Sequence, residues 1–282
     1  AFNYSKKINA NLLIDDKSGF HKRHKYELNN FNLSAKIANN NYKFVGHIGR
    51  LKRKIYKKFN FINRDISFIE EKKDQNKLTE HDKNIFSKNV NKNIYFEGYF
   101  QTEKYFKNID KEIREDFKFQ DEIYIPCKDM IDSLGDGRKI FLHIRRGDPK
   151  LPWAYVNLES AHPVCTWDYY EKALRHFPAD IPVVVFSDVI DWCKEQEFFK
   201  PDRFIMSETT DEFADGQRVP WTDLCLMTLC TDAIIANSSF SWWGAWLINN
   251  PDKTVVAPKK WFGPQYDHYI MSDLIPDEWI QV

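Results

Sequence analysis

The chain has 282 residues, of which 43% are apolar, 16% aromatic and 29% charged. That length suits one large domain or two smaller ones with a sizeable core, and 10 Gly with 12 Pro exclude a fibrous or mostly disordered chain. The formal net charge is zero, but residues 1–140 carry 29 Lys and Arg against 20 Asp and Glu, whereas 141–282 carry 12 against 21.

Taken in chain order, Ala1 to Ala10 read as the tail of a helix and Asn11 to Asp15 as a strand. The first 60 residues hold 14 basic and 3 acidic side chains. Such a block is either a solvated face or an attraction to an anionic membrane surface. Helices are expected within Ile85–Ile109 and Ile113–Phe119, completing a smaller α/β domain over residues 1–135. Ser133-Leu134-Gly135-Asp136-Gly137 has the turn chemistry of a linker, and a second domain is placed at 136–282.

That second part alternates strand and helix. Ile140–Ile144 is an apolar strand. Thr166 can cap a helix carrying Tyr169, Tyr170, Ala173 and Leu174. Pro182–Phe186 is a buried strand, followed by Ser187-Asp188 and a helix around Trp192. Arg203–Ile205, Ala233–Ala236 and Thr254–Ala257 are further strands, with helices at Asp223–Cys230 and from Ser241 through the tryptophans. Strands buried on both faces and alternating with helices imply a parallel, doubly wound sheet.

In such sheets ligands bind beyond the carboxyl ends of strands, where three polar features fall. His143-Ile144-Arg145-Arg146-Gly147-Asp148 places paired guanidinium groups, shaped to fork onto phosphate or carboxylate, after an apolar strand; the competing reading is an Arg–Asp pair holding a loop. Asn237-Ser238-Ser239-Phe240-Ser241 opens a helix whose N–H groups favour an anion; the competing reading is plain N-capping. Asp188 is either an acceptor for a base or ribose or a helix cap. No His/Cys cluster has metal spacing, no DxD triplet is present, and GxGxxG, GxSxG and the P-loop are absent. Five cysteines without a CxxC pair point to reduced thiols and a cytosolic compartment. The longest apolar runs are far short of the roughly 18–20 residues of a membrane span. A neutral chain with an acidic second half does not suit a nucleic-acid partner.

FLHIRRGD (Phe141 to Asp148) and IANSSFSWWGAWL (Ile235 to Leu247) together resemble the family 11 glycosyltransferases, the α-1,2-fucosyltransferases. Val185-Phe186-Ser187-Asp188 with Trp192-Cys193-Lys194, and Asp223 to Met227, resemble that family's intervening pattern, so the likeness spans roughly 139–262. Tyr4 to Asp15 is similar to the family's first helix running into its second strand; ahead of that helix the family carries a strand and a GGxGNQxF-like turn, whereas this chain begins inside it. The resemblance implies an α/β fold of GT-B type, two Rossmann-like domains with parallel sheets covered by helices: an acceptor-side domain at 1–135 and a GDP-fucose-binding domain at 136–282. It implies inverting transfer of L-fucose from GDP-fucose to the 2-hydroxyl of a terminal galactose, without a metal or other cofactor. Arg146 would meet the β-phosphate with Arg145 beside it, Asn237, Ser238, Ser239, Phe240 and Ser241 would hold the pyrophosphate, and Asp188 would meet guanine or ribose. His143 and Asp148 would shape the pocket and are the candidates for a general base. The alternatives are transfer of another sugar or to another hydroxyl, and a nucleotide- or glycan-binding module without catalysis. The expected partners are the nucleotide sugar and a galactose-terminated glycan, with peripheral contact to an anionic membrane through the basic N-terminal region.

Overall fold

The computed structural model describes residues 1–18, 26–59, 65–71, 80–87, 92–147, 158–207, 219–269 and 271–282. The chain divides into two compact units, the first formed by Ala1–Lys118 with Tyr269–Pro276 and the second by Phe119–His268 with Asp277–Val282.

In the first unit, α1 (Phe2–Lys7) buries Tyr4 among Ile69, Ile85 and Tyr105. The sequence places helix and strand correctly here: β1 (Leu13–Ile14) follows α1 and pairs in parallel with β2 (Lys36–Ile37). Next come α2 (Gly46–Lys58), β3 (Ile66–Glu70), β4 (Asn93–Glu97) and α3 (Asp110–Asp116), with β3 and β4 parallel. Among the described residues of Ile85–Ile109, where helices are expected, no α-helix forms. That stretch holds short 3-10 turns at Lys83–Ser87, Glu103–Tyr105 and Lys107–Ile109, with β4 between them. Ile94, Tyr95 and Phe96 are β-branched or aromatic and gain more from cross-strand packing than from a helix; Tyr95 stands 5.5 Å from Phe68 of β3, ring centroid to ring centroid. Asp273 ties the returning Tyr269–Pro276 segment to this unit by accepting from the His81 backbone N–H at 2.8 Å.

The second unit runs α4 (Asp121–Ser133), β5 (Ile140–Ile144), α5 (Leu158–Ala161), α6 (Trp167–Leu174), β6 (Val183–Ser187), α7 (Ile190–Lys194), β7 (Phe204–Met206), α8 (Pro220–Leu229), β8 (Asp232–Ile234), α9 (Ser239–Leu247), β9 (Val255–Ala257) and β10 (Ile280–Gln281). Its strands form one parallel sheet in the order β10-β9-β8-β5-β6-β7, the doubly wound order of dinucleotide-binding domains. Two α/β units with parallel strands match the GT-B layout expected from the sequence.

Alternation along β5 sends Ile140, Leu142 and Ile144 to one face, into a core with Tyr169, Tyr170, Ala173 and Cys193 from α6 and α7. Phe141 and His143 point to the other face, toward α9. Thr166 caps α6 as the sequence implies, its hydroxyl accepting from the Tyr169 N–H at 3.3 Å. On α9, Gly244 permits close approach: a Cβ there would lie 3.0 Å from Met227 Sδ and 3.1 Å from Met227 Cβ. At the far end of α9, the Lys253 ammonium donates to the carbonyls of Ala245 (2.8 Å), Trp246 (2.8 Å) and Ile248 (3.1 Å). At the amino end of the sheet the fully buried Asp232 accepts from Arg138 Nε (2.9 Å), Thr231 Oγ1 (2.6 Å) and the Thr254 N–H (2.8 Å), so that charge is matched from within.

The boundary falls at 118/119 rather than 135/136. Helix α4 packs on α8 and buries Cys127 and Ile131, which attaches it to the second unit. The Gly135 and Gly137 turn, both glycines at positive φ, therefore joins α4 to β5 inside one unit instead of linking two.

Candidate functional site

A doubly wound sheet opens a crevice where neighbouring strands send their chains to opposite faces, beyond their carboxyl ends. Here those strands are β5 and β8, paired through Leu142 and Ile234. Beyond β5 the chain enters Arg145-Arg146-Gly147; beyond β8 it enters Ile235-Ala236-Asn237-Ser238 and α9. The His143 and Phe240 rings, 5.8 Å apart, mark the contact between the two segments.

The arginine loop is built on Asp188, which follows β6. One carboxylate oxygen of Asp188 accepts from Arg145 Nη1 and from the Gly147 N–H, each at 2.7 Å, and the other accepts from the Arg146 N–H at 3.1 Å. Gly147 has φ of +83°, a conformation that side chains resist. The Arg146 guanidinium lies 3.8 Å from the centre of the Trp192 ring, a cation–π stack that fixes its plane. The Arg145 side chain is 51% exposed while ion-paired with Asp188. Cys193, one residue beyond Trp192, is buried, which pushes its thiol up to about 11; it packs as a small apolar group, as Cys225 and Cys230 do.

The second segment presents backbone. Ser238 is the N-cap of α9 and its carbonyl accepts from the Trp242 N–H at 3.0 Å, so the N–H groups of Ser239, Phe240 and Ser241 point out of the helix start. The Asn237 side chain is turned inward: its amide donates to the carbonyls of Pro163 (2.8 Å) and Trp261 (2.9 Å), and its oxygen faces Cys165 Sγ at 3.5 Å. Ser241 is fully buried, its hydroxyl donating to the carbonyls of Ser238 (3.3 Å) and Ala236 (3.4 Å). Asn237 and Ser241 thus shape the segment, while Ser238 and Ser239 form its accessible part.

His143 is 4% exposed and its Nδ1 has no hydrogen-bond partner. Burial, and then the nearby Arg145 charge, lower its pKa to about 3, so the ring is neutral and a feeble base near neutral pH. Asp148 lies outside the described residues. Two residues at the site are not among the expected site residues. Trp192 stands four residues after Asp188, within the Trp192-Cys193-Lys194 segment that resembles the family's pattern. His162 lies outside every motif; burial and then the Arg145 charge lower its pKa too, and it packs 5.3 Å from the Phe262 ring. Among the described residues no three His, Cys, Asp or Glu side chains gather as metal ligands.

The site is therefore a cationic loop facing a helix start across the crevice of a nucleotide-binding type of α/β sheet. The family model of Glycosyl transferase family 11 matches residues 23–282, and the chain belongs to that family. It is 33% identical over 207 residues, 70% of this chain and 67% of the relative, to an alpha-1,2-colitosyltransferase of Escherichia coli. To human galactoside alpha-(1,2)-fucosyltransferase 1 it is 31% identical over 157 residues, 51% of this chain and 40% of the relative. Among solved structures, the fucosyltransferase NodZ from Bradyrhizobium superposes with a TM-score of 0.47 at 14% identity, covering 86% of this chain and 84% of that one.

Proposed function

We propose that the chain transfers L-fucose from GDP-fucose, with inversion, to the 2-hydroxyl of a terminal galactose on a glycan acceptor, without a metal. The observation that carries this reading is the pairing of the Arg145-Arg146-Gly147 loop with the start of α9 where β5 and β8 diverge. Membership of the family and the names of the two relatives support it.

The acceptor oxygen forms a bond to the anomeric carbon while the bond to the β-phosphate oxygen breaks, and the electron pair leaves on the diphosphate. Negative charge builds there as the sugar ring becomes cation-like. Fixed donors aimed at that charge lower the barrier, since they need no reorganisation during the step. Arg146 meets the β-phosphate from its Trp192 shelf, Arg145 stands beside it, and the N–H groups of Ser239, Phe240 and Ser241 take the pyrophosphate at the positive end of the helix dipole. Asp188 acts through the loop as a positioning residue, and the oxygen that accepts only from the Arg146 N–H keeps a lone pair for the guanine or ribose. His143, neutral and buried, shapes the pocket rather than taking the acceptor proton. Asp148 remains the candidate for that proton.

Replacing Arg146 tests the reading. Arg146→Ala is expected to lower kcat/KM for fucose transfer by about a hundredfold or more with an unchanged melting temperature, and to weaken GDP binding in calorimetry. Full activity in that variant removes the phosphate role. Turnover is expected to survive a chelator, and loss of turnover in EDTA would overturn the metal-free reading. GDP binding without transfer to any galactoside would favour a binding module. The relative named as a colitosyltransferase supports a second reading, with colitose in place of fucose; competition between the two donors in one assay separates them.

A further inference from the structure

Helix α2 is mounted with its polarity inverted. An ordinary surface helix turns its apolar stripe toward the core and its charges to water. In α2, Arg53 and Lys57 face inward, ion-paired with Glu97 and Glu70, Tyr56 packs 6.3 Å from the Phe44 ring, and Gly49 lies against the Phe44 backbone. The outward side carries Ile48 (85% exposed), Leu51 (59%) and Ile55 (38%), with Val45 just ahead of the helix at 52%. These four are a third of the twelve exposed large hydrophobic residues among the described ones. At 3.6 residues per turn, Ile48, Leu51 and Ile55 fall within about 60° of one another, opposite Arg53.

The edges of this stripe are basic. By the same spacing Lys54 and Lys58 line one edge and Lys52 the other, all three exposed. Residues 28–64 contain no Asp or Glu. An apolar stripe with lysines on both margins, the two neighbouring carboxylates being engaged on the inward side by Arg53 and Lys57, has the pattern of a helix lying in a membrane interface, where the apolar residues enter the acyl boundary and the ammonium groups reach anionic headgroups.

We propose that α2 is the surface by which this protein docks on an anionic phospholipid leaflet, with Ile48, Leu51 and Ile55 inserted and Lys52, Lys54 and Lys58 on the headgroups. A protein partner would have to supply an acidic rim around an apolar groove; a bilayer containing acidic lipid supplies both everywhere. The inference does not depend on which sugar is transferred, because its test needs no donor.

The test is co-sedimentation of the full chain with vesicles of phosphatidylcholine alone or containing one-third phosphatidylglycerol. Binding is expected only to the acidic vesicles and is expected to weaken with salt. Leu51→Glu with Ile55→Glu is expected to lower the partition coefficient by at least about tenfold. Lys52→Gln, Lys54→Gln and Lys58→Gln are expected to lower it by about fivefold each. All these positions are exposed, and an unchanged circular dichroism spectrum checks that the variants fold. Absent binding, equal binding to neutral vesicles, or binding untouched by either set of changes overturns the proposal. So does a stable dimer in light scattering that Leu51→Glu dissolves, since a second copy would then be the occupant of this face.

Discussion

Arg146 depends on two neighbours that the local motif does not name. Trp192 supports its guanidinium, and Asp188 holds the backbone on which it stands. From the sequence, paired arginines after a strand and small polar residues before a helix mark where the chemistry falls, because both patterns are local. The hydrogen-bond partners of Asp188 and Asn237 are not legible there, since they lie 41 to 43 and 24 to 74 residues away. His143 gives a prediction at this scale. Its folded pKa is lowered from 6.5 to about 3, so the stability that goes with the neutral ring is complete above pH 6.5 and is lost as pH falls toward 3. The slope is about 1.4 kcal/mol per pH unit, or about 2 kcal/mol between pH 6.5 and 5. Urea titrations across that interval should show a shallower loss in His143→Leu than in the parent chain. Parallel curves would mean the ring is not what titrates.

At the level of elements, the second unit was readable because fully buried strands such as Val183–Ser187 appear as continuous β-branched runs between turn residues. The first unit was less so. Its strand Asn93–Glu97 is short and mostly half-buried, and its aromatic residues fit helix and strand patterns equally well until the pairing with Ile66–Glu70 is known. Packing between α8 and α9 offers a direct test. With Met227 Cβ and Sδ at 3.1 and 3.0 Å from a hypothetical Cβ on Gly244, a branched side chain has nowhere to go. Gly244→Val is predicted to destabilise the chain by about 1–3 kcal/mol, read from the urea midpoint, with part of the loss regained by adding Met227→Ala. A more stable single variant would show that the helices have room to separate.

For the whole molecule, the telling point is where one unit ends. Composition shifts near residue 135, but the physical boundary follows burial: Cys127 and Ile131 belong to the core beside α8. A fragment starting at Phe119 is therefore predicted to unfold in one cooperative transition, whereas one starting at Asp136 loses α4, uncovers α8 and should aggregate or melt without a sharp midpoint. Equal behaviour of the two fragments in denaturant would return the boundary to the glycine turn. No helix among the described residues is long and apolar enough to cross a membrane.

Lys253 has a consequence of its own. Helix α9 is enclosed along most of its length, which denies water to the oxygens at its final turn; a lone ammonium on a four-carbon stem supplies what solvent would have provided. Evolutionary drift at this position is thereby narrowed. Arginine is too broad to seat among three converging oxygens, glutamine brings no charge, and any shorter residue would leave dry acceptors at the tail of the very rod whose head faces the crevice.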